Sequence, residues 1–163
     1  MSLERIDQAY FSSDIREFIV LLHRHAVRYV VVGGEAVIHY GHARLTGDID
    51  FFYDNSPENA VALFEVLLAF WSNNVPGLST ASELLEDGVI VQFGRPPNRI
   101  DLLNRIDGVS FAEAWASRVT VPVEVSDGPV PLHFLGLEQL IRNKEAAGRP
   151  KDLDDLAYLR SLR

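Results

Sequence analysis

An apolar run ending in two glycines, RYVVVGG at residues 28–34, is separated by thirteen residues from Asp-Ile-Asp at 48–50. This pairing restricts the fold more than any other feature. Tyr29–Val32 reads as a short buried strand, and EAVIHYGH, directly after the glycines, as a short helix. Residues 47–53, GDIDFFY, then form a second strand. Residues two apart on a strand point to one face, so Asp48 and Asp50 project together while Ile49 and Phe51 go the other way. Two carboxylates roughly 7 Å apart along a strand repel each other and gain nothing from burial. A cation between them resolves the repulsion, and Mg²⁺ favours such hard oxygen ligands. The competing reading is a solvated strand end, where alternating acids are common.

The flanking sequence interleaves further helices and strands. Residues 13–26, SDIREFIVLLHRHA, put Ile15, Phe18, Ile19, Leu22 and Ala26 on one helical face, with Ser13 as N-cap. ENAVALFEVLLAFW is a long amphipathic helix, and residues 72–82, rich in Ser, Asn, Pro and Gly, read as loop. DGVIVQF and RIDLLN flank a turn at 94–98, Ser110–Trp115 makes a helical turn or two, and RVTVPVEV with VPLHFL forms a hairpin. GLEQLIRNKEAAG and KDLDDLAYLRSL are two C-terminal helices broken at 148–150. Hairpins require antiparallel neighbours, so the expected class is α/β (α+β), a mixed sheet flanked by helices. The 163 residues fit one domain, with the helices of 136–162 packed on it.

Composition narrows the function classes. No apolar run approaches the roughly 18–20 residues that span a bilayer. The first residues, MSLERIDQAY, lack the basic-then-apolar layout of a secretory leader, so a cytoplasmic location is expected. Cysteine is absent, which removes disulfides and thiolate metal sites. His23, His25, His39, His42 and His133 show no zinc spacing and read as structural. Trp71 and Trp115 end apolar helical faces and read as core. The net charge is −8, yet residues 142–163 hold six of the 15 basic residues against four acids. The acidic remainder disfavours non-specific grip on nucleic acid. A nucleotide pocket stays open, because a bound Mg²⁺ reverses the local sign.

Two further features bear on chemistry. A buried strand running into Gly33–Gly34 and a helix brings backbone N–H groups close to phosphate, or is simply a tight turn. Asp101, between Ile100 and Leu102 in RIDLLN, either faces solvent or joins a site. Should its strand neighbour the Asp48–Asp50 strand, it completes a three-carboxylate cage of the two-metal type.

Taken in order, VVGGEAVIHYGHARLTGDIDFFYD, RIDLLN and LEQLIRNKEAAGRPKDLDDLAYL resemble the DNA polymerase beta-like nucleotidyltransferase superfamily. Arg44, Thr46, Asp48 and Asp50 are similar to the Arg-x-Thr-x-Asp-x-Asp form of minimal bacterial nucleotidyltransferases, the antitoxin and abortive-infection toxin types. The resemblance spans residues 28–160. It implies attack by a hydroxyl acceptor on the α-phosphorus of an NTP, with pyrophosphate leaving and Mg²⁺ (or Mn²⁺) as cofactor. Asp48 and Asp50 would hold the nucleotide metal and touch the catalytic metal, which Asp101 would complete. Gly33 and Gly34 would cradle phosphates, Thr46 belongs to the motif, and Lys144 with Arg44 would neutralise the triphosphate. The superfamily's serine after the first glycine is Gly34 here, and Glu35 stands beside the presumed triphosphate.

For the C-terminal charges, Lys144 with Glu145 and Lys151 with Asp155 also read as solvated helical pairs. Arg149 and Lys151 suit RNA phosphates as well. Three functions follow. The first is a Mg²⁺-dependent nucleotidyltransferase acting on RNA such as tRNA or on a partner protein, as half of a toxin–antitoxin pair. The second is a module of that fold binding nucleotide or partner protein without turnover. The third and weakest is a metal-dependent phosphohydrolase.

Overall fold

The computed structural model describes residues 4–163. The apolar YVVV run becomes β1 (Tyr29–Val32), buried along its whole length. It pairs antiparallel with β2 (Asp48–Tyr53), joined through α2 (Gly33–His39). The hairpin partners follow as expected: β3 (Ile90–Phe93) against β4 (Arg99–Leu103), and β5 (Val119–Val123) against β6 (Val130–Phe134). Parallel pairings of β2 with β4 and of β1 with β6 join these hairpins into one six-stranded mixed sheet, ordered β3-β4-β2-β1-β6-β5.

Helices cover both faces. Phe51, on one face, meets the Phe18 ring of α1 (Ser13–Arg24) at 5.5 Å, and Phe18 packs on Phe70 of α3 (Pro57–Phe70). Phe52, on the other, meets Phe111 of α4 (Phe111–Ala116). The C-terminal helices α5 (Leu137–Ala147) and α6 (Pro150–Ser161) pack on each other, and Gly148 breaks them in a left-handed C-cap. Tyr158 ties α6 to the end of α2 by donating to the carbonyl of Tyr40 at 3.0 Å.

Several boundaries differ from the sequence reading. Ser12, not Ser13, caps α1, accepting from the Ile15 N–H. Helix α2 starts at Gly33 and stops at His39, ahead of a turn through Gly41 with φ +100°. Strand β3 begins at Ile90 rather than Asp87, because Gly88 turns with φ +80°. At the end of the expected loop of 72–82 and beyond it, Ala81–Leu85 forms a 3-10 helix with a Thr80–Glu83 capping box. Leu84 is fully buried there, and its carbonyl accepts from Tyr53 Oη at 2.7 Å and Asn104 Nδ2 at 3.1 Å. Trp71 and Trp115 are partly buried and pack on Phe93 and on Phe111, respectively. No helix of the described residues is long and apolar enough to cross a membrane.

Candidate active site

Sheet register assembles the acidic cluster. Asp50 sits opposite Val32 at the end of β1 and opposite Asp101 in the parallel ladder with β4. Neighbours in register share a face, so Asp101 joins Asp48 and Asp50 on one side of the sheet. One carboxylate oxygen from each of the three lies within 4.8 Å of the others. Asp101 is buried, while Asp48 and Asp50 are half-buried.

The electrostatics are unbalanced. Burial pushes the Asp50 carboxyl up to about 8, helped by the charges of Asp48 and Asp101. Burial and the Asp48 carboxylate also raise Asp101. Asp48 goes the other way: burial opposes its charge, but hydrogen bonds from Arg99, Asp101 and Thr46 outweigh burial. Oδ1 of Asp50 and Oδ1 of Asp101 are buried without a hydrogen-bond partner. Converging acids with unsatisfied oxygens are the donor set a hard divalent cation takes, so the residues fit such an ion.

Gly33 follows directly, with φ +69°. A Cβ there would lie 2.3 Å from Asp50 Oδ2, so only glycine lets the turn approach the carboxylate. At Gly34 a Cβ would come 2.9 Å from Thr46 Oγ1. Thr46 in turn donates to the Asp48 carbonyl at 3.0 Å, fastening the loop to the start of β2. A cavity of about 400 Å³ opens beside Gly33 and Asp50, edged by Arg105, Asn143, Lys144 and Arg149. A second, of about 310 Å³, opens beside Asp48 and is lined by Tyr10, Glu35, Arg44, Thr46 and Asn98.

The residues expected for the phosphates are thus divided. Gly33 and Lys144 line the first cavity, whereas Arg44 and Thr46 line the second. Lys144 is only 3% exposed, and its Nζ is held by Asp152 Oδ1 at 3.0 Å and Asp155 Oδ2 at 3.3 Å. Arg44 is salt-bridged to the same Asp155.

A family model described as "Nucleotidyltransferase of unknown function (DUF6036)" matches residues 11–159. The chain belongs to this nucleotidyltransferase family. Solved structures agree on the fold. A candidate nucleotidyltransferase from Thermotoga maritima (TM1012) aligns with TM-score 0.55 at 18% identity, over 91% of each chain. ANT(2")-Ia, in complex with adenylyl-2"-tobramycin, aligns with TM-score 0.51 at 16% identity, over 91% of this chain and 87% of that one. A search of curated proteins finds no match.

Two side chains of this nucleotidyltransferase escaped the sequence reading of the site. Arg99 donates from Nη2 to Asp48 Oδ2 at 2.7 Å, and its Nε lies 3.4 Å from Asp101 Oδ1. The strand alternation of RIDLL already put Arg99 beside Asp101; its bond to Asp48 needed the β2–β4 register. Tyr10 donates its hydroxyl to Glu35 at 2.9 Å, which accounts for the acid beside the glycine turn. Burial raises the Glu35 carboxyl, the Tyr10 bond opposes this, and the Asp48 charge adds to it. No local signal links residues 10 and 35.

Proposed function

We propose that this nucleotidyltransferase moves an NMP from an NTP onto an acceptor hydroxyl and depends on Mg²⁺ (or Mn²⁺). The observation that carries the reading is the meeting of Asp48, Asp50 and Asp101 with unpartnered oxygens beside Gly33. These three side chains would hold the divalent cation. When bound, it supplies Lewis-acid polarisation of the phosphoryl oxygens and neutralises their charge.

The chain's own residues account for the rest. Gly33, free of a side chain, leaves room for the triphosphate to reach Asp50 from the larger cavity. Arg105, Lys144 and Arg149 line that cavity, each paired with an acid for which an incoming polyanion would compete. Asp101, buried within the cluster, is placed to take the proton of the acceptor hydroxyl. The acceptor oxygen then bonds to the α-phosphorus, the bond to the bridging oxygen breaks, and pyrophosphate leaves.

The acceptor is an RNA such as tRNA or a protein, and a toxin–antitoxin pair is the proposed setting. The adenylyl-tobramycin held by ANT(2")-Ia is a property of that protein. It supports here only the general class, a nucleotide joined to another molecule. A nucleotide-binding module without turnover is the competing reading, favoured by the capture of Lys144 between Asp152 and Asp155.

The test is incubation with each α-labelled NTP, Mg²⁺ and cell extract. The proposal expects one labelled acceptor, absent with chelator and absent for Asp48→Asn. Tight Mg²⁺-dependent NTP binding with no label and no pyrophosphate would decide for the binding module.

A further inference from the structure

We infer that Tyr10 is a site of self-modification: its hydroxyl takes the NMP when no outside acceptor is bound, so the chain carries its own acceptor. The inference rests on the NMP-transfer reading above. With the triphosphate entering beside Gly33, the second cavity, next to Asp48, is left for the acceptor. Among the described residues, three hydroxyl side chains stand on its wall, Ser12, Thr46 and Tyr10, and none lines the larger cavity. Two of the three are committed to the fold. Ser12 Oγ accepts from the Ile15 N–H as the cap of α1, and Thr46 Oγ1 donates to the Asp48 carbonyl. Tyr10 alone donates to a carboxylate, Glu35 Oε2, at 2.9 Å.

The segment that bears Tyr10 is anchored on either side of it. The Ile6 N–H donates to the Pro122 carbonyl at 2.9 Å, and Arg16 Nη1 donates to the carbonyls of Gln8 and Phe11 at 2.5 and 2.6 Å. The tyrosine itself is 46% exposed, open to a nucleotide arriving in the cavity. Among the described residues Glu35 has no cationic partner, and the Asp48 charge acts on it, so the carboxylate that holds the phenol lies within electrostatic reach of the cluster. In the transfer, Tyr10 Oη bonds to the α-phosphorus, the bond from phosphorus to the bridging oxygen breaks, and pyrophosphate leaves. The phenol proton passes to Glu35, which already accepts it in a hydrogen bond. Glu35 thus does for the internal acceptor what Asp101 does for an external one. The attached NMP then stands in the acceptor's cavity, so modification shuts out other acceptors.

The test needs no foreign acceptor. Full-length protein is incubated with each NTP and Mg²⁺, and its intact mass and peptide map are read before and after. Wild type is expected to gain one NMP, mapped to Tyr10, at a rate independent of protein concentration. Tyr10→Phe and Asp48→Asn should gain none. Glu35→Gln keeps an oxygen for the phenol bond but takes no proton, and should gain it about 10²-fold more slowly. An NMP mapped to another residue, an unchanged rate in Glu35→Gln, or a rate that rises with protein concentration overturns the inference. No mass gain on wild type that labels an acceptor in cell extract overturns it alone. No gain together with no extract label and no pyrophosphate overturns it along with the NMP-transfer reading. Should Tyr10→Phe fail to fold, the wild-type peptide map still decides.

Discussion

Two groups of charge border the same cavity, and the chain treats them in opposite ways. In the C-terminal pair of helices both buried acids have cations. Asp152 accepts from Lys144 Nζ at 3.0 Å, from the Arg149 N–H at 3.2 Å and from Arg149 Nε at 2.9 Å, and Asp155 is shared by Lys144 and Arg44. On the sheet, one arginine is paired with Asp48 and Asp101, none with Asp50, and two carboxylate oxygens are left without a hydrogen bond. The titration follows the partners. Burial works against the Asp152 charge, yet bonds from Arg149 and Lys144 hold its carboxyl below the ordinary value, whereas Asp50 is pushed up to about 8. The chain has the means to satisfy buried carboxylates and does so where they join helices. Where it leaves them short, the missing charge has to come from outside.

The largest effect should separate function from stability at the sheet cluster. Asp50→Asn should cut NMP transfer by about 10³-fold or more, the scale of losing a group that acts directly on the reacting charge. The same change should leave the melting temperature unchanged or higher, because it removes a repelled carboxylate; a lower melting temperature would break the comparison. The sign of the pH effect follows from the raised Asp50 carboxyl. Its folded-state value of about 8 exceeds the ordinary aspartate value of about 4, so its stabilising contribution is complete below the latter and is lost as pH rises through about 8. Metal-free protein should therefore lose stability across that window. Saturating Mg²⁺ should flatten the loss and release protons on binding near neutral pH, measurable by calorimetry in buffers of different ionisation enthalpy.

Lys144→Met should act in the opposite sense. It takes from Asp152 and Asp155, at 0% and 3% exposure, one of the two cations that each has, leaving Arg149 and Arg44, and should cost about 1–3 kcal/mol in denaturant unfolding. A loss below about 1 kcal/mol would show that the network is not held by its lysine. Gly33→Ala comes next, with an expected cost of about 1–3 kcal/mol from its positive φ and a weakened affinity for divalent ion from the clash with Asp50. The smallest effect belongs to the solvated rim of the helical network. Asp154, 85% exposed and paired with His42 at 3.0 Å, should lose no more than about 0.5 kcal/mol as Asp154→Ala.

Local sequence carried most of the fold because its signals are short-range. Alternation set β2 and β4, glycine set the turn at Gly33, and the helical faces set α1 and α3. The 3-10 helix at Ala81–Leu85 was hidden among polar turn formers, although Thr80 and Glu83 have capping-box spacing and Leu84 supplies an apolar anchor. The meeting of Asp101 with Asp48 and Asp50 was expected on condition of strand adjacency, and β2 and β4 are adjacent. Interactions across elements were not legible. Lys144 reaches Asp152 and Asp155 only because Gly148 folds α6 back on α5, so the sequence offered it only the triphosphate or its neighbour Glu145, and offered Lys151 to Asp155. Arg99 and Glu35 were opaque for the same reason, their partners being set by register and by packing of the N-terminal segment.

The most direct test of the central claim is anomalous diffraction from a crystal grown with Mn²⁺ and a non-hydrolysable NTP. The account predicts a peak about 2 Å from a carboxylate oxygen of each of Asp48, Asp50 and Asp101. His42, Asp154 and Asp155 also come within 4.8 Å of one another, with Asp155 already taken by Arg44 and Lys144. A peak at that second group, with none on the sheet, would contradict it.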